Sequence, residues 1–174
     1  MMPTPSVEYS LLCPMLIVFG VAVAGVLVEA FLPRQSRYAA QVALSLGGLV
    51  AAFVAVGVLA RQLHGAVGHT AVLGAVVVDA PALFLQGTIL LVGIHGILLI
   101  AERRIPAPAE PDDRSGGLDA FTPQASAIAG SVVEQLATKA GVVQTEVFPL
   151  TMFAVGGMLL FPASDDLLTM FIAL

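Results

Sequence analysis

Residues 11–32 read LLCPMLIVFGVAVAGVLVEAFL, a run whose one ionisable carboxylate, Glu29, lies near its end. A helix needs about 20 apolar residues to cross the ~30 Å hydrocarbon core of a bilayer. The run therefore predicts a membrane-spanning helix. The first ten residues contain no Lys or Arg, so the charged start of a signal peptide is missing, and we expect this helix to be retained.

Further apolar runs follow along the chain. Three reach the length of a span: residues 38–60, 81–101 and 142–161. A shorter run, 166–174, is still apolar at its last residue, and we expect it to be the start of a truncated fifth helix. The sequence thus predicts an all-α integral membrane protein with four complete transmembrane helices. It predicts one membrane domain over residues 1–174, as part of a longer protein.

The composition agrees with a lipid environment. Hydrophobic residues make up 58% of the chain and charged residues 11%, and the mean hydropathy is +0.97. Soluble domains are about 45–50% apolar and about 25% charged. The seven Lys and Arg residues are scattered through a chain of net charge −5, which argues against nucleic-acid binding. No nucleotide-binding or metalloprotease motif and no paired-cysteine metal spacing occurs, so we expect no metal or cofactor on this chain.

Two connections differ from the spans. Residues 61–79 contain glycines and then Val76-Val77-Val78, which predicts a short β-hairpin between helices 2 and 3. Residues 102–141 form a long polar connection between helices 3 and 4. Its second half repeats apolar residues every four positions, which suits either an amphipathic surface helix or a solvated linker. Within the second span, we expect Gly47, Gly48 and Gly57 to allow close helix packing.

The positive charges predict the orientation. Six Lys and Arg residues follow the first and third spans: Arg34, Arg37, Arg103, Arg104, Arg114 and Lys139. The N-terminus and the other connections hold one, Arg61. Positive residues concentrate on the cytoplasmic side of membrane proteins. We therefore expect the 102–141 connection in the cytoplasm, and the N-terminus and the hairpin outside.

Two ionisable residues within the spans are candidates for a proton path. His95 lies well inside the third run, where a neutral imidazole either passes a proton or makes a hydrogen bond between helices. Glu29 lies about one turn from the end of the first run. It either lines a proton entry path or pairs with a nearby arginine such as Arg34. Helix capping explains the acidic residues at the other helix starts, which are Asp79, Glu146, Asp165 and Asp166.

The last part of the chain carries a specific pattern. Residues 145–160 read TEVFPLTMFAVGGMLL and residues 163–174 read ASDDLLTMFIAL. They resemble the fourth and fifth helices of the antiporter-like subunits of the proton-pumping NADH:quinone oxidoreductase, complex I, and most of all its subunit N. Residues 76–85, VVVDAPALFL, are similar to the family's junction between a strand and the third helix.

The resemblance implies a membrane-arm subunit of bacterial complex I, multi-pass in the inner membrane, which contributes to proton translocation coupled to quinone reduction. NADH, FMN, iron–sulfur clusters and quinone would belong to the parent complex, and the partners would be other membrane-arm subunits and the lipid bilayer. The pumping glutamate would directly follow Leu174. Two alternatives remain open: a subunit of a related multi-subunit Na+/H+ antiporter, and a small non-catalytic membrane anchor or assembly protein.

Overall fold

The structure is a computed structural model that describes residues 8–63, 69–101 and 145–174. Five α-helices and two short strands make up these residues. The helices are α1 (Tyr9–Phe31), α2 (Arg34–Gln62), α3 (Ala80–Ala101), α4 (Val147–Leu160) and α5 (Leu167–Ala173), and the strands are β1 (His69–Ala71) and β2 (Val76–Val78). The predicted 102–141 connection, whether its second half is an amphipathic helix or a solvated linker, lies outside the described residues.

In the described part of the chain, three helices are long and apolar enough to cross a membrane: α1, α2 from Ser36 onward, and α3. They correspond to the predicted runs 11–32, 38–60 and 81–101. The fourth predicted span, 142–161, begins outside the described residues, and within them α4 has only 14 residues. A 3-10 turn, Phe161–Ala163, extends it, and together the two cover about 27 Å at about 1.5 and 2.0 Å per residue.

Two prolines set the ends of α4. The ring of Pro149 would clash with the carbonyl of Thr145, four residues earlier, if the helix began further upstream. Proline is tolerated in the first helical turn, and α4 accordingly begins at Val147. Pro162 has no N–H to bond back to Met158, so the chain tightens into the 3-10 turn after Leu160. The apolar run is therefore longer than the α-helix it contains.

The helices pack as a bundle in which α1 contacts α2 and α4, and α3 contacts α2 and α4. The largest fully buried apolar side chains are Phe148, Leu49, Leu90, Ile97, Met152 and Leu159. The outer faces are apolar as well: Val54 on α2 and Val92 on α3 are 58% and 63% exposed. An apolar exterior around an apolar core is what a lipid-facing bundle requires.

Glycines permit the closest helix contacts. A Cβ on Gly48 would lie 2.6 Å from Cγ2 of Val21, so α1 and α2 meet across this residue. A Cβ on Gly156 would lie 2.9 Å from the ring of Phe19, where α4 meets α1. The prediction for Gly48 is thus confirmed. At Gly47 and Gly57 no described residue lies within 4 Å of a Cβ, so the described part of the bundle makes no close contact at either position.

A two-stranded antiparallel sheet connects α2 and α3, as the valine run predicts. His69 pairs with Val78 and Ala71 with Val76. The other edge of β2 bonds to the connection between α4 and α5, through a bridge from Val76 to Ser164 and a hydrogen bond from the Asp165 N–H to the Ala75 carbonyl, 3.1 Å. The hairpin therefore fastens the start of α3 to the end of α4.

Candidate functional site

The Glu29 carboxylate, near the end of α1, is the centre of a polar cluster. Its Oε1 accepts a hydrogen bond from Nη1 of Arg37 at 2.8 Å. The Thr145 hydroxyl lies 2.9 and 2.7 Å from its two oxygens, and Nε2 of Gln41 donates to Oε2 at 3.2 Å. Thr145 and Gln41 are buried, and Glu29 is mostly so. The cluster joins α1, α2 and the residues that precede α4.

Arg37 holds the turn between α1 and α2. Besides its ion pair with Glu29, it donates from Nε and Nη2 to the Leu32 carbonyl, at 3.3 and 2.9 Å. Carbonyls at the end of a helix lack partners within that helix and carry partial negative charge. One guanidinium therefore neutralises the carboxylate and caps the end of α1. The expectation that Glu29 pairs with a nearby arginine is met, and the partner is Arg37.

Gln41 is fully buried between α1 and α2. Its Nε2 also donates to the Gly25 carbonyl at 2.8 Å, so both amide protons are used. Its Oε1 has no hydrogen-bond partner among the described residues. A Cβ on Gly25 would lie 3.1 Å from this oxygen and 3.1 Å from Cβ of Pro149, so the glycine makes room for both side chains.

Tyr38 extends the same cluster to α3 and α4. Its hydroxyl donates to the Ala101 carbonyl, at the last residue of α3, at 2.6 Å. Its ring packs edge-on against Phe148 of α4, with 5.8 Å between ring centroids. At one end of the bundle, α1, α2, α3 and α4 are thus joined by polar or aromatic contacts. Both carboxylate oxygens of Glu29 accept hydrogen bonds from neighbouring side chains, and these contacts hold the helices together. The role of Glu29 in a proton path stays a prediction.

His95 is not part of this cluster. It lies on the exposed face of α3, and its Nδ1 is 2.8 Å from the Leu91 carbonyl of the same helix. The structure thus does not bring the two predicted proton-path residues, Glu29 and His95, together. A hydrogen bond between helices from His95 is not formed within the described residues. Its proton-path role also remains a prediction.

The acidic residues at the helix starts differ in what they do. Asp79 accepts from the Ala82 N–H at 2.8 Å and caps α3. Asp166 accepts from the Thr169 N–H at 2.6 Å and caps α5, and the Thr169 backbone and hydroxyl hydrogen bonds lower the pKa of this carboxyl. Glu146 precedes α4, but its side chain makes no capping hydrogen bond, so that expectation is wrong. Asp165 uses its backbone N–H to hold the hairpin.

Gln86 is a buried polar residue that the sequence analysis did not single out. Its Nε2 donates to the Leu159 carbonyl at 3.0 Å, at the end of α4 where helical carbonyls lack partners. A glutamine in an otherwise apolar run was the available signal. It joins α3 to α4 at the end opposite to the Glu29 cluster.

Replacing Gln86 with leucine should lower the stability of the subunit by about 1 kcal/mol, because the Leu159 carbonyl is then buried without its donor. The thermal unfolding temperature of the detergent-solubilised protein measures this. Thr151→Val is the matched control, since the Thr151 hydroxyl bonds to Val147 within its own helix. Equal unfolding temperatures for the Gln86 variant and the unsubstituted protein would contradict the prediction.

An apolar groove of about 690 Å³ lies between α1, α3, α4 and α5. Its walls include Phe19, Ile89, Phe153, Met158 and Ile172, and they present mostly carbon atoms. Among residues 8–63, 69–101 and 145–174, no three His, Cys, Asp or Glu side chains are placed to hold a metal ion. The ion pair found among these residues is that of Glu29 and Arg37.

These features define a class: a multi-helix membrane protein whose described part contains three long apolar helices, with a hairpin at one end and the Glu29 cluster at the other.

No protein-family model matches the chain. Individual proteins do. The chain is 59% identical over 178 residues to a protein of Mycobacterium tuberculosis and 60% identical over 185 residues to one of Rhodococcus opacus, each time over 99% of this chain. A protein of Acidothermus cellulolyticus is 51% identical over 172 residues.

All three relatives are named NADH-quinone oxidoreductase subunit N. The matches cover 33%, 33% and 30% of these proteins, so the chain spans about a third of their length. The chain is homologous to the N-terminal part of NADH-quinone oxidoreductase subunit N. The resemblance seen in residues 76–85 and 145–174 is thereby confirmed, and it extends over almost the whole chain.

Proposed function

We propose that this chain is the N-terminal part of a membrane-arm subunit of bacterial NADH:quinone oxidoreductase, and that the full-length subunit contributes to proton translocation coupled to quinone reduction. The observation that carries the proposal is the 59% identity to a subunit N along 99% of the chain. The names of these relatives favour this function over the Na+/H+ antiporter and over the small anchor protein.

The described residues support a scaffold role within that subunit. The Glu29 cluster fixes four helices at one end, and the hairpin fixes α3 to the α4–α5 connection at the other. In this proposal Glu29 and Arg37 form an ion pair, Asp79 and Asp166 are helix caps, and the pumping carboxylate would follow Leu174. NADH, FMN, iron–sulfur clusters and quinone would be bound by other parts of the complex.

The topology belongs to the same proposal. The chain would lie in the bacterial inner membrane with its N-terminus outside, and α4 with its 3-10 turn would form a fourth, short span. The excess of positive residues after the first and third spans supports this orientation. Placed this way, the Glu29 cluster lies at the cytoplasmic end of the bundle and the hairpin at the outer end.

The test is to purify the full-length subunit from its native membrane through an affinity tag. We expect flavin- and iron–sulfur-containing subunits to co-purify, and inverted vesicles from the same cells to acidify when NADH is supplied. Deleting the subunit should abolish that acidification, and restoring it on a plasmid should bring it back. A subunit that purifies without redox partners, from cells whose NADH-driven acidification survives the deletion, would overturn the proposal.

A further inference from the structure

Gln41 carries a buried oxygen that needs a hydrogen-bond donor. The side chain is fully buried between α1 and α2, and its Oε1 has no partner among the described residues. The orientation of the amide is fixed, because Nε2 donates to the Gly25 carbonyl at 2.8 Å and to Glu29 Oε2 at 3.2 Å. The reverse orientation would place Oε1 against these two acceptors.

The described residues around Oε1 offer no donor. A Cβ on Gly25 would lie 3.1 Å from Oε1 and 3.1 Å from Cβ of Pro149, so α1 and α4 flank this oxygen. Glycine has no side chain and proline has no N–H. The N–H groups within α1 and α2 bond to carbonyls of their own helices. An acceptor without a donor is costly in the interior of a membrane protein, since apolar side chains and lipid cannot donate.

The oxygen lies inside the bundle, beyond the level at which the chain before α4 joins it. Thr145, the first described residue of that stretch, bonds to Glu29 at 2.7 Å. Pro149, four residues later, lies beside Gly25, which precedes Glu29 by four residues. Helices α1 and α4 are therefore antiparallel here, and Oε1 lies about one turn further into the bundle than Thr145. Residues 102–144 precede Thr145, so the donor has to lie between α1, α2 and α4 themselves.

A second polar group lies on the same face of α2. Ser45 is 2% exposed and follows Gln41 by four residues, one helical turn. The hydroxyls of Thr151 and Ser164 bond to the carbonyl four residues earlier in the chain. The Ser45 hydroxyl makes no such bond, nor any other with a described residue. It is free to rotate and to donate or accept a hydrogen bond at this interface.

Small residues line the interface beside these two oxygens. Helices α1 and α2 are in close contact at Gly25 and again at Gly48. Between these contacts the buried residues are Ser45 on α2 and Ala22 on α1, which is 0% exposed. A buried water molecule needs two to four polar partners and space of about its own size. Two oxygens on successive turns supply the partners, and the small side chains favour the space.

We propose that one ordered water molecule lies between α1, α2 and α4, donates a hydrogen bond to Gln41 Oε1 and bonds to the Ser45 hydroxyl. A single water bridges two oxygens when it lies about 2.8 Å from each. It completes the hydrogen bonding of Gln41, whose amide donates to Glu29, and so extends the Glu29 cluster one turn into the bundle. The proposal depends on the packing of these helices and not on the proposed function.

The first test is a density map of the full-length subunit in its native complex, at a resolution at which buried water molecules are visible. We expect one peak within hydrogen-bond distance of both Gln41 Oε1 and Ser45 Oγ. A protein donor to Oε1, whether Ser45 itself, residues 102–144 or another part of the complex, would overturn the proposal. So would the absence of this peak from a map that shows other buried waters in the subunit.

A double-mutant cycle tests the bridge through stability. Ser45→Ala removes one partner of the water, and Gln41→Met removes the other at similar side-chain length. We expect Ser45→Ala to lower the unfolding temperature of the full-length subunit in detergent by roughly 2 °C, and to have no effect once Gln41→Met is present. Ser36→Ala, at an exposed serine of the same helix, is the control and should be neutral in both backgrounds. Additive effects of Ser45→Ala and Gln41→Met would overturn the bridge.

Discussion

Replacing Glu29 with alanine is expected to destabilise the subunit by about 3 kcal/mol, the lower end of the range for breaking a buried ion pair, because both partners keep some exposure. The substitution leaves the Arg37 guanidinium without its counter-charge and removes the acceptor of the Thr145 hydroxyl. Thermal unfolding of the full-length subunit in detergent, and its level in native membranes, measure the effect.

A double substitution separates charge from packing. Glu29→Ala combined with Arg37→Leu removes the unpaired charge and should recover part of the stability that Glu29→Ala alone loses. If the double variant loses as much stability as the two single variants lose together, the broken ion pair is not the cause of the destabilisation.

The variant Glu29→Gln keeps an oxygen that accepts hydrogen bonds but loses the charge. In this variant we expect the number of protons pumped per NADH to be unchanged. A lower ratio in fully assembled complex would favour the proton-path hypothesis instead.

Replacing Gly48 with alanine should destabilise the bundle by about 1–3 kcal/mol through overpacking. The new methyl group would lie 2.6 Å from Cγ2 of Val21, and the β-branched valine has little freedom to turn aside. Helices α1 and α2 would have to separate, which also strains the Glu29–Arg37 pair at their end. The measurement is again the unfolding temperature in detergent.

The neighbouring glycine provides the control. No described residue lies within 4 Å of a Cβ on Gly47, so Gly47→Ala should be neutral or raise stability slightly, since alanine favours the helix by about 1 kcal/mol over glycine. Adding Val21→Ala to Gly48→Ala should recover stability by removing the clash. Equal effects of Gly47→Ala and Gly48→Ala would show that helix propensity, not close packing, decides the outcome.

The long helices were predictable because hydrophobic length alone specifies them. In lipid every backbone N–H and C=O needs a partner within the chain, so an apolar run of sufficient length forms a helix. The run of valines at 76–78, next to glycines, likewise predicted a strand. The α-helix in the fourth apolar run is shorter than the described part of that run, because Pro149 and Pro162 delimit the helix, and composition alone does not show this.

The Glu29 cluster was only partly predictable. An arginine partner was expected from proximity in the sequence, but the turn geometry selects Arg37, at a separation of eight residues. Thr145 follows Glu29 by 116 residues, and no local sequence pattern predicts a contact at that separation. The outward position of His95 depends on which face of α3 meets its neighbours, and α3 is apolar on all sides, so periodicity carried no information about it.

The separations within the Glu29 cluster also suggest an order of events as the polypeptide leaves the ribosome. Glu29 and Arg37, eight residues apart, can pair as soon as the first two helices have been synthesised, so each charge enters lipid already compensated. Thr145 arrives much later, at a distance of 116 residues. Its hydrogen bond to Glu29 would then form when α4 packs against the pair of α1 and α2, which has formed earlier. Polypeptides fold from the N-terminus during synthesis.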